Sequence, residues 1–547
     1  MRCIGRILSI FLPLNLVLAC ASAKPGKPES APPALRETAK PPKLVVTVVI
    51  DQLPSWALDR YWDYLSPEGA MHRLARRGVF HRRARYAYAG TLTAPGHASI
   101  FTGTVPAVHG VSANEIWDRE RGLQVPIVDD GKHAVLGHPG HFASPTLLKA
   151  PTLADALKAA TQGKGKVVSL SMKARAAVVS AGRGADLALW YDRDQGMFTS
   201  STFYAKALPE WLPRWSQEHP VGNYLRKWEP HDPQWLREHV GEDSSIGEEN
   251  WKGFGTTFPH DPRESHHPNE TFTVTPASTE LLLQLAAECV ERMELGRDEV
   301  PDLLQVSISG TDYVGHLFGP ESWEYVDNLR RVDESLGAFL QALEAKTSVA
   351  VLLTSDHGVA PLPESSRRRG HASGRIRSES VARILDAELQ GVLGRGPWVE
   401  AFVHPFVYLH ANARKDGVRE KVVAAALDRL ASLSSVHSVA DTRAAQGWKE
   451  DADPLRRAIH LSVNPQAFGE IFLVPQPFFV VRDERGGTSH GTPWRYDQQV
   501  PVFFAAAGVA PLSTDEALEQ SQTAATLAKI LGIEAPKQAN PKILPGL

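Results

Sequence analysis

At 547 residues the chain exceeds the usual single-domain size, so it forms either several domains or one large core carrying insertions. Lys and Arg number 59 against 62 Asp and Glu, a formal charge of −3, and no basic field argues for a nucleic-acid partner. Cys289 is the only cysteine besides Cys3 and Cys20, which excludes an intramolecular disulfide framework; the 21 histidines, a common metal-ligand type, are more suggestive.

The first residues form an export signal. MRCIGR carries the positive charge, ILSIFLPLNLVLA the short apolar core, and Ala21 to Ala23 a small-residue cleavage site, in a segment too short to span a bilayer. Cys20 leaves two outcomes open: VLAC resembles a bacterial lipobox, whose cysteine is lipidated, whereas ASA suits cleavage after residue 23. Residues 1–20 are therefore a signal peptide of either kind, and the protein is expected in the periplasm or anchored to the outer membrane. From 21 to 42, six prolines and several charges describe an extended linker that cannot bury a core. No later apolar run approaches the length of a membrane-spanning helix.

Folded structure is expected over 43–547. KLVVTVVI at 43–50 is an apolar, β-branched run typical of a strand buried on both faces. KVVSLS at 166–171, LLQVSIS at 303–309, SVAVLLTS at 348–355 and VPVFFAAAG at 500–508 are of the same kind, with helical patterns such as SWALDRYWDYL and STELLLQLAAECVERM between them. This alternation predicts an α/β fold around a mostly parallel, doubly wound sheet with helices on both faces. Six tryptophans between Trp190 and Trp251, among many prolines and few strand signals, mark about 186–275 as an insertion over the active edge. The RRRGH run at 367–371 reads as a solvated loop.

The first strand ends at Asp51, the third runs into TDYVGH with Asp312 and His316, and the fourth into SDHG with Asp356 and His357. Each carboxylate thus falls at the carboxyl end of a strand, where open α/β sheets bind ligands. In GTLTAPGHASIFTG, at 90–103, Thr93 reads locally as a helix N-cap, with Pro95 in the first turn and Gly103 as the stop. The same helix end also suits a phosphate, and Thr91 is a rival hydroxyl. His97 and His109 read as packing or hydrogen-bonded supporting groups. Lys173 and Arg175, in SLSMKARAAVVSAG, share one side if the segment stays extended, or simply form a solvated edge. GGTSHGT places His490 in a glycine-rich loop. Asp and His together suit zinc, and six such residues with a hydroxyl suffice for two neighbouring ions.

Asp51, T-x-P-G-H at Thr93, D-x-x-G-H-x-x-G-P at 312–320, D-H-G at 356–358 and G-x-x-H-G at 487–491 together resemble the alkaline phosphatase superfamily. Within it they resemble the PafA-type phosphate-irrepressible alkaline phosphatases and the related nucleotide pyrophosphatase/phosphodiesterases. The resemblance implies an alkaline phosphatase-like catalytic domain and a covalent phosphothreonine at Thr93. It implies two zinc ions per chain, one beside Thr93 on Asp51, Asp356 and His357, the other on Asp312, His316 and His490. It also makes Lys173, Arg175 and Asn114 (in HGVSAN) contacts of the phosphoryl oxygens, which favours small-molecule phosphate monoesters. A monomer is expected. The alternative is a phosphodiesterase or nucleotide pyrophosphatase on the same scaffold, and a remoter one a catalytically silent phosphate- or metal-binding lipoprotein.

Overall fold

The structure, a computed structural model, describes residues 40–464 and 468–547. The signal peptide, Cys20 and the linker up to residue 39 lie outside the described residues. Nine strands carry the central sheet: β1 (Leu44–Ile50), β2 (Val79–Arg85), β3 (Val167–Ser171), β4 (Leu187–Asp192), β5 (Met197–Thr199), β6 (Asp302–Ile308), β7 (Val349–Thr354), β8 (Gln499–Ala505) and β9 (Leu512–Thr514). Their spatial order is β9-β2-β8-β7-β1-β6-β3-β4-β5, with a short tenth strand, Leu518–Glu519, also on β2. From β7 to β4 all neighbours are parallel. β8 departs from the expected direction and pairs antiparallel with both β7 and β2.

All seven residues of β1 are buried. Alternation along the strand sends Leu44, Val46, Val48 and Ile50 into one core, with α1 (Ser55–Tyr61), and Val45 into another on the opposite face. The helices that matter below are α2 (Thr93–Thr102), α3 (Ala174–Ala181), α4 (Pro276–Arg292), α5 (Gly310–Phe318) and α6 (Trp323–Glu344). Apolar residues of α4, α5 and α6 fill the first core, whereas Ile100 and Phe101 of α2 pack on Val49 from the other side. The sheet is therefore covered on both faces, as a parallel sheet requires.

Two parts of the chain differ from the sequence reading. Residues 187–199, at the start of the expected insertion, are β4, the turn after it and the edge strand β5, and Trp190 lies in β4. Beyond them the chain is short helices and coil, and Trp215 and Trp228 pack into the main core. The second difference is a four-stranded antiparallel sheet built from Val399–Val403, Phe406–Leu409, Ile471–Pro475 and Val436–Asp441, packed on the helices Ser378–Leu393 and Arg419–Ala431. Strands of four to six residues, some with only one buried face, leave little signal in the sequence. The RRRGH run begins at the end of a short helix, and its Arg369 bonds Glu321 rather than water alone.

One carboxyl in α6 does structural work elsewhere. Asp333 Oδ1 accepts from the Met71 amide at 2.8 Å, closing the N-terminus of the Ala70–Arg77 helix, whose own N-cap, Gly69, has no side chain. A Cβ on Gly69 would lie 1.7 Å from Asp333 Oδ2, so this approach requires glycine. Oδ2 is buried without a partner, and burial pushes the carboxyl up to about 7. Because its folded-state value is raised, the fold holds a proton that the unfolded chain releases, so stability falls as pH climbs from the ordinary value of 3.8 to about 7 and stays lower above it. Asp333→Asn keeps the accepting oxygen and removes the titration. Denaturant unfolding is expected to show the variant gaining on the parent between about pH 4 and about pH 7, and a constant difference across that range would refute the assignment.

Candidate active site

Register places the site. Ile50 at the end of β1 stands opposite Ile308 of β6, and Val49 opposite Thr354 of β7, so the chain leaves three adjacent strands at one edge. Asp51, Asp312 and Asp356 follow, exposed by 1% or less. The next strand, β3, ends at Ser171, opposite Ser307, and brings Lys173 and Arg175 to the same edge.

Asp51, Asp356 and His357 form one cluster whose ligand-type atoms all lie within 4.8 Å of one another. His357 Nε2 lies 3.3 Å from Asp51 Oδ1, 3.5 Å from Asp356 Oδ2 and 3.3 Å from Thr93 Oγ1. Asp312, His316 and His490 form the second cluster, with Asp312 Oδ1 at 3.2 Å from His316 Nε2 and 3.6 Å from His490 Nε2. The His357 and His490 rings stack with centroids 3.5 Å apart, so the clusters adjoin. Both groups bring together the residues that the family resemblance implied. A third group, His138, Asp192 and Asp194, lies away from them in the chain.

All three cluster histidines are oriented alike. Nδ1 lies 2.9 Å from the Gly358 carbonyl in His357, 2.8 Å from that of Thr488 in His316 and 2.9 Å from that of Thr91 in His490. An N–H must point at each carbonyl, which leaves the Nε2 lone pairs of neutral rings facing carboxylate oxygens. Lone pairs facing anions need a cation between them. Asp51 Oδ1 and Asp356 Oδ2 are buried with no hydrogen-bond partner. Burial, with Asp312 and Asp356 alongside, holds Asp51 above the usual carboxylate range. Burial alone would lower His357, but Asp356 and Asp51 outweigh it and draw the imidazole up to about 9, a pull that a cation held among these carboxylates would relieve, leaving the ring neutral. Three N/O ligands per cluster, with one position left open, is the donor set of a catalytic zinc site, and the residues present fit such an ion in each cluster.

Thr93 is not the cap of its helix. It is the first residue of α2, follows Leu92 at the N-cap position, and makes no side-chain capping bond. The Ala94 amide is instead taken by Asn114 Oδ1 at 2.8 Å, which frees the threonine hydroxyl to face His357 and leaves the Asn114 NH₂ available. Gly103 ends the helix as expected, with φ +70°. Thr91 is removed as a rival because its hydroxyl donates to the Thr492 carbonyl at 2.8 Å. Gly96 lets α2 approach the cluster, since a Cβ there would stand 2.3 Å from the Asp356 carbonyl oxygen.

The Lys173–Arg175 segment is not extended throughout. Lys173 is extended at the N-cap of α3, and Arg175 lies in that helix. The Lys173 ammonium is buried between Asp51 Oδ2, at 2.6 Å, and Asp312 Oδ2. It keeps one of its three donors for another acceptor. Arg175 is close enough for its charge to oppose that of Lys173, and its Nε is buried without a partner.

Two supporting residues exceed what the sequence showed. Gln52, at φ +68°, donates from its amide nitrogen to Asp312 Oδ1 at 2.8 Å and from its backbone to Asp356 Oδ1 at 3.2 Å, joining both clusters. A strained backbone of this kind is kept where its surroundings over-determine it. His97 spans Thr93 O at 2.9 Å, Asp356 Oδ2 at 3.2 Å and Ser307 Oγ at 2.9 Å, so it braces the first cluster, whereas His109 bonds Ser99 within the packing. A cavity of about 250 Å³ opens beside the second cluster, lined by His316, His490, Asn114 and Phe402 among others.

Ions bound to the fold and not to the unfolded chain stabilise by mass action, about 2.7 kcal/mol at 100 times Kd. Exhaustive chelation is therefore expected to lower the melting temperature and abolish turnover, with zinc restoring both. Unchanged melting and full activity in protein shown metal-free by elemental analysis would contradict the reading of the clusters.

Residues 45–498 match the type I phosphodiesterase / nucleotide pyrophosphatase family. The chain is 32% identical over 516 residues to a Myroides odoratus protein named calcium-transporting ATPase, covering 91% of this chain and 93% of the other. It is 28% identical over 521 residues to alkaline phosphatase PafA of Elizabethkingia meningoseptica, covering 91% and 93%. The crystal structure of wild-type PafA superposes with a TM-score of 0.87 at 27% identity, over 93% of this chain and all of that one. A variant of that phosphatase, with a TM-score of 0.86 at 26% identity over 93% of this chain and 99% of that one, has a threonine changed to serine and an asparagine, a lysine and an arginine changed to alanine. In it the threonine and asparagine are 21 positions apart, and the lysine and arginine two. This chain belongs to the type I phosphodiesterase / nucleotide pyrophosphatase family, within which it stands with the PafA-type alkaline phosphatases.

Proposed function

We propose that the protein hydrolyses phosphate monoesters through a phosphothreonine at Thr93. The observation that carries this is a hydroxyl with no capping bond, at the start of a helix, 3.3 Å from His357 Nε2 and beside two buried carboxylates with unpartnered oxygens. The spacings of the relative's four altered residues recur here in Thr93 and Asn114, and in Lys173 and Arg175.

Two zinc ions, one on Asp51, Asp356 and His357 and one on Asp312, His316 and His490, would lower the pKa of the reacting hydroxyl and neutralise charge at the phosphoryl group. The chain supplies the rest. The N-terminus of α2 holds the Thr93 oxygen toward the phosphorus and aims its dipole at the anion. The Asn114 NH₂, the remaining Lys173 donor and the Arg175 guanidinium take the non-bridging oxygens. As the O–P bond forms, the hydroxyl gives up its proton and the departing alcohol takes one up. In-line transfer puts that alcohol away from Thr93, toward the cavity at His316 and His490. Water then cleaves the phosphothreonine from the same side.

A monoester dianion offers these donors more charge than a diester, which favours phosphatase over phosphodiesterase. We read the enzyme as an exported monomer, periplasmic or lipid-anchored at Cys20, and the described residues contain no helix long and apolar enough to cross a membrane.

Thr93→Ala is expected to fold with little loss of stability, because no cap is lost, while turnover falls by about 10³ or more and no phosphoenzyme forms. Near-normal turnover in the metal-replete variant would overturn the assignment. Thr91→Ala should leave phosphoenzyme formation intact and cost about 1 kcal/mol of stability through the lost bond to Thr492.

Replacing both Lys173 and Arg175 by alanine should narrow the preference for a monoester over a diester with the same leaving group by at least about tenfold in kcat/KM. Equal losses on both substrates would favour the diesterase reading.

A further inference from the structure

Beside the second cluster stands an arginine that none of the chemistry above uses. Arg193 occupies the turn between β4 and β5, and its guanidinium lies 4.3 Å from the centre of the Tyr313 ring. The Lys173 ammonium lies 4.9 Å from the same ring centre. Tyr313 follows Asp312 directly, and Tyr313 and His316 are the two residues of α5 that are not buried. Three positions apart, they share one helix face, so the ring that carries Arg193 borders the side of the second cluster open to solvent.

The turn that carries Arg193 is itself fixed. Asp192 Oδ1 accepts from the amides of Asp194 and Gln195 at 2.9 and 3.1 Å, and its Oδ2 lies 2.7 Å from His138 Nδ1. Gln195 Nε2 donates to the Gly137 carbonyl at 2.7 Å. Both Asp192 and Asp194 turn toward His138, and among the described residues Arg193 makes neither an ion pair nor a hydrogen bond. A half-buried guanidinium stacked on an aromatic ring keeps its planar fork of donors free, a geometry matched to carboxylate or phosphate. The cavity at His316 and His490 is lined by Glu115, Asp483 and Glu484, with Arg482 beside them.

We infer that Arg193 is a specificity residue that selects phosphate monoesters whose alcohol carries a second anionic group, a carboxylate or a further phosphate. The inference rests on the phosphatase reading and on the alcohol leaving past His316. Lys173 and Arg175 hold the phosphoryl group undergoing transfer. Arg193 holds the charge one linker away.

The test compares phenyl phosphate with 3-carboxyphenyl phosphate in the zinc-loaded wild type, Arg193→Ala and Arg193→Lys. Arg193→Ala is expected to raise KM for the carboxylated ester about tenfold, the scale of one charge-assisted hydrogen bond, with kcat for both esters and KM for phenyl phosphate within about twofold. Arg193→Lys should retain part of the preference. Equal changes on both esters, or none on either, would overturn the proposal. Absence of wild-type turnover on phenyl phosphate would instead overturn the phosphatase reading on which it rests.

Discussion

Three carboxylates buried at the ends of three adjacent strands are the constraint to which everything else at this edge answers. Removing one carboxylate from water is costly, and three close together repel one another as well. Lys173 brings an ammonium in among them, and it bonds only one oxygen each of Asp51 and Asp312. Asp356 Oδ1 receives the Gln52 backbone amide, yet its Oδ2, which faces both His97 at 3.2 Å and His357 at 3.5 Å, keeps no hydrogen bond. Divalent ions would close the local charge balance, and the imidazole lone pairs are oriented to bind them.

Positioning comes from parts of the chain far apart in sequence. Parallel register delivers the three aspartates, and α2 presses its first turn against Asp356 because Gly96 has no side chain. The late loop is tied across the edge by Thr91 to Thr492, by His490 to the Thr91 carbonyl and by His316 to that of Thr488. One backbone carbonyl thus orients a ligand while the neighbouring hydroxyl, Thr93, stays free. The oxygen proposed to react is thus held without being consumed by the contacts that hold it.

The three aspartates were legible because their placement follows from local rules, whereas their grouping with His316, His357 and His490 came from the family resemblance. An apolar run predicts a buried parallel strand, and an Asp just past its end falls at the ligand-binding edge. Thr93 was harder, because a threonine opening a helix is usually its cap, and only the fold reveals that Asn114, 21 residues on, satisfies the first amide. The Lys173–Arg175 pair suggested an extended edge, but α3 begins between them. Gln52 left no periodic or motif signal, since its role depends on a left-handed backbone and on two strands that meet only in the sheet. Arg193 fell in a segment that read as an insertion, although it lies on a turn between β4 and the edge strand β5. The small antiparallel sheet was hidden for a similar reason, its strands being short and separated by as many as 61 residues between Leu409 and Ile471.

The central claim, that these two clusters are paired cation sites flanking Thr93, is tested most directly by anomalous diffraction from crystals of the zinc-loaded protein. The account predicts two peaks, one among Asp51, Asp356, His357 and the Thr93 hydroxyl and one among Asp312, His316 and His490. Absence of both peaks, or anomalous density confined to His138, Asp192 and Asp194 with Lys173 still bridging Asp51 and Asp312, would contradict it.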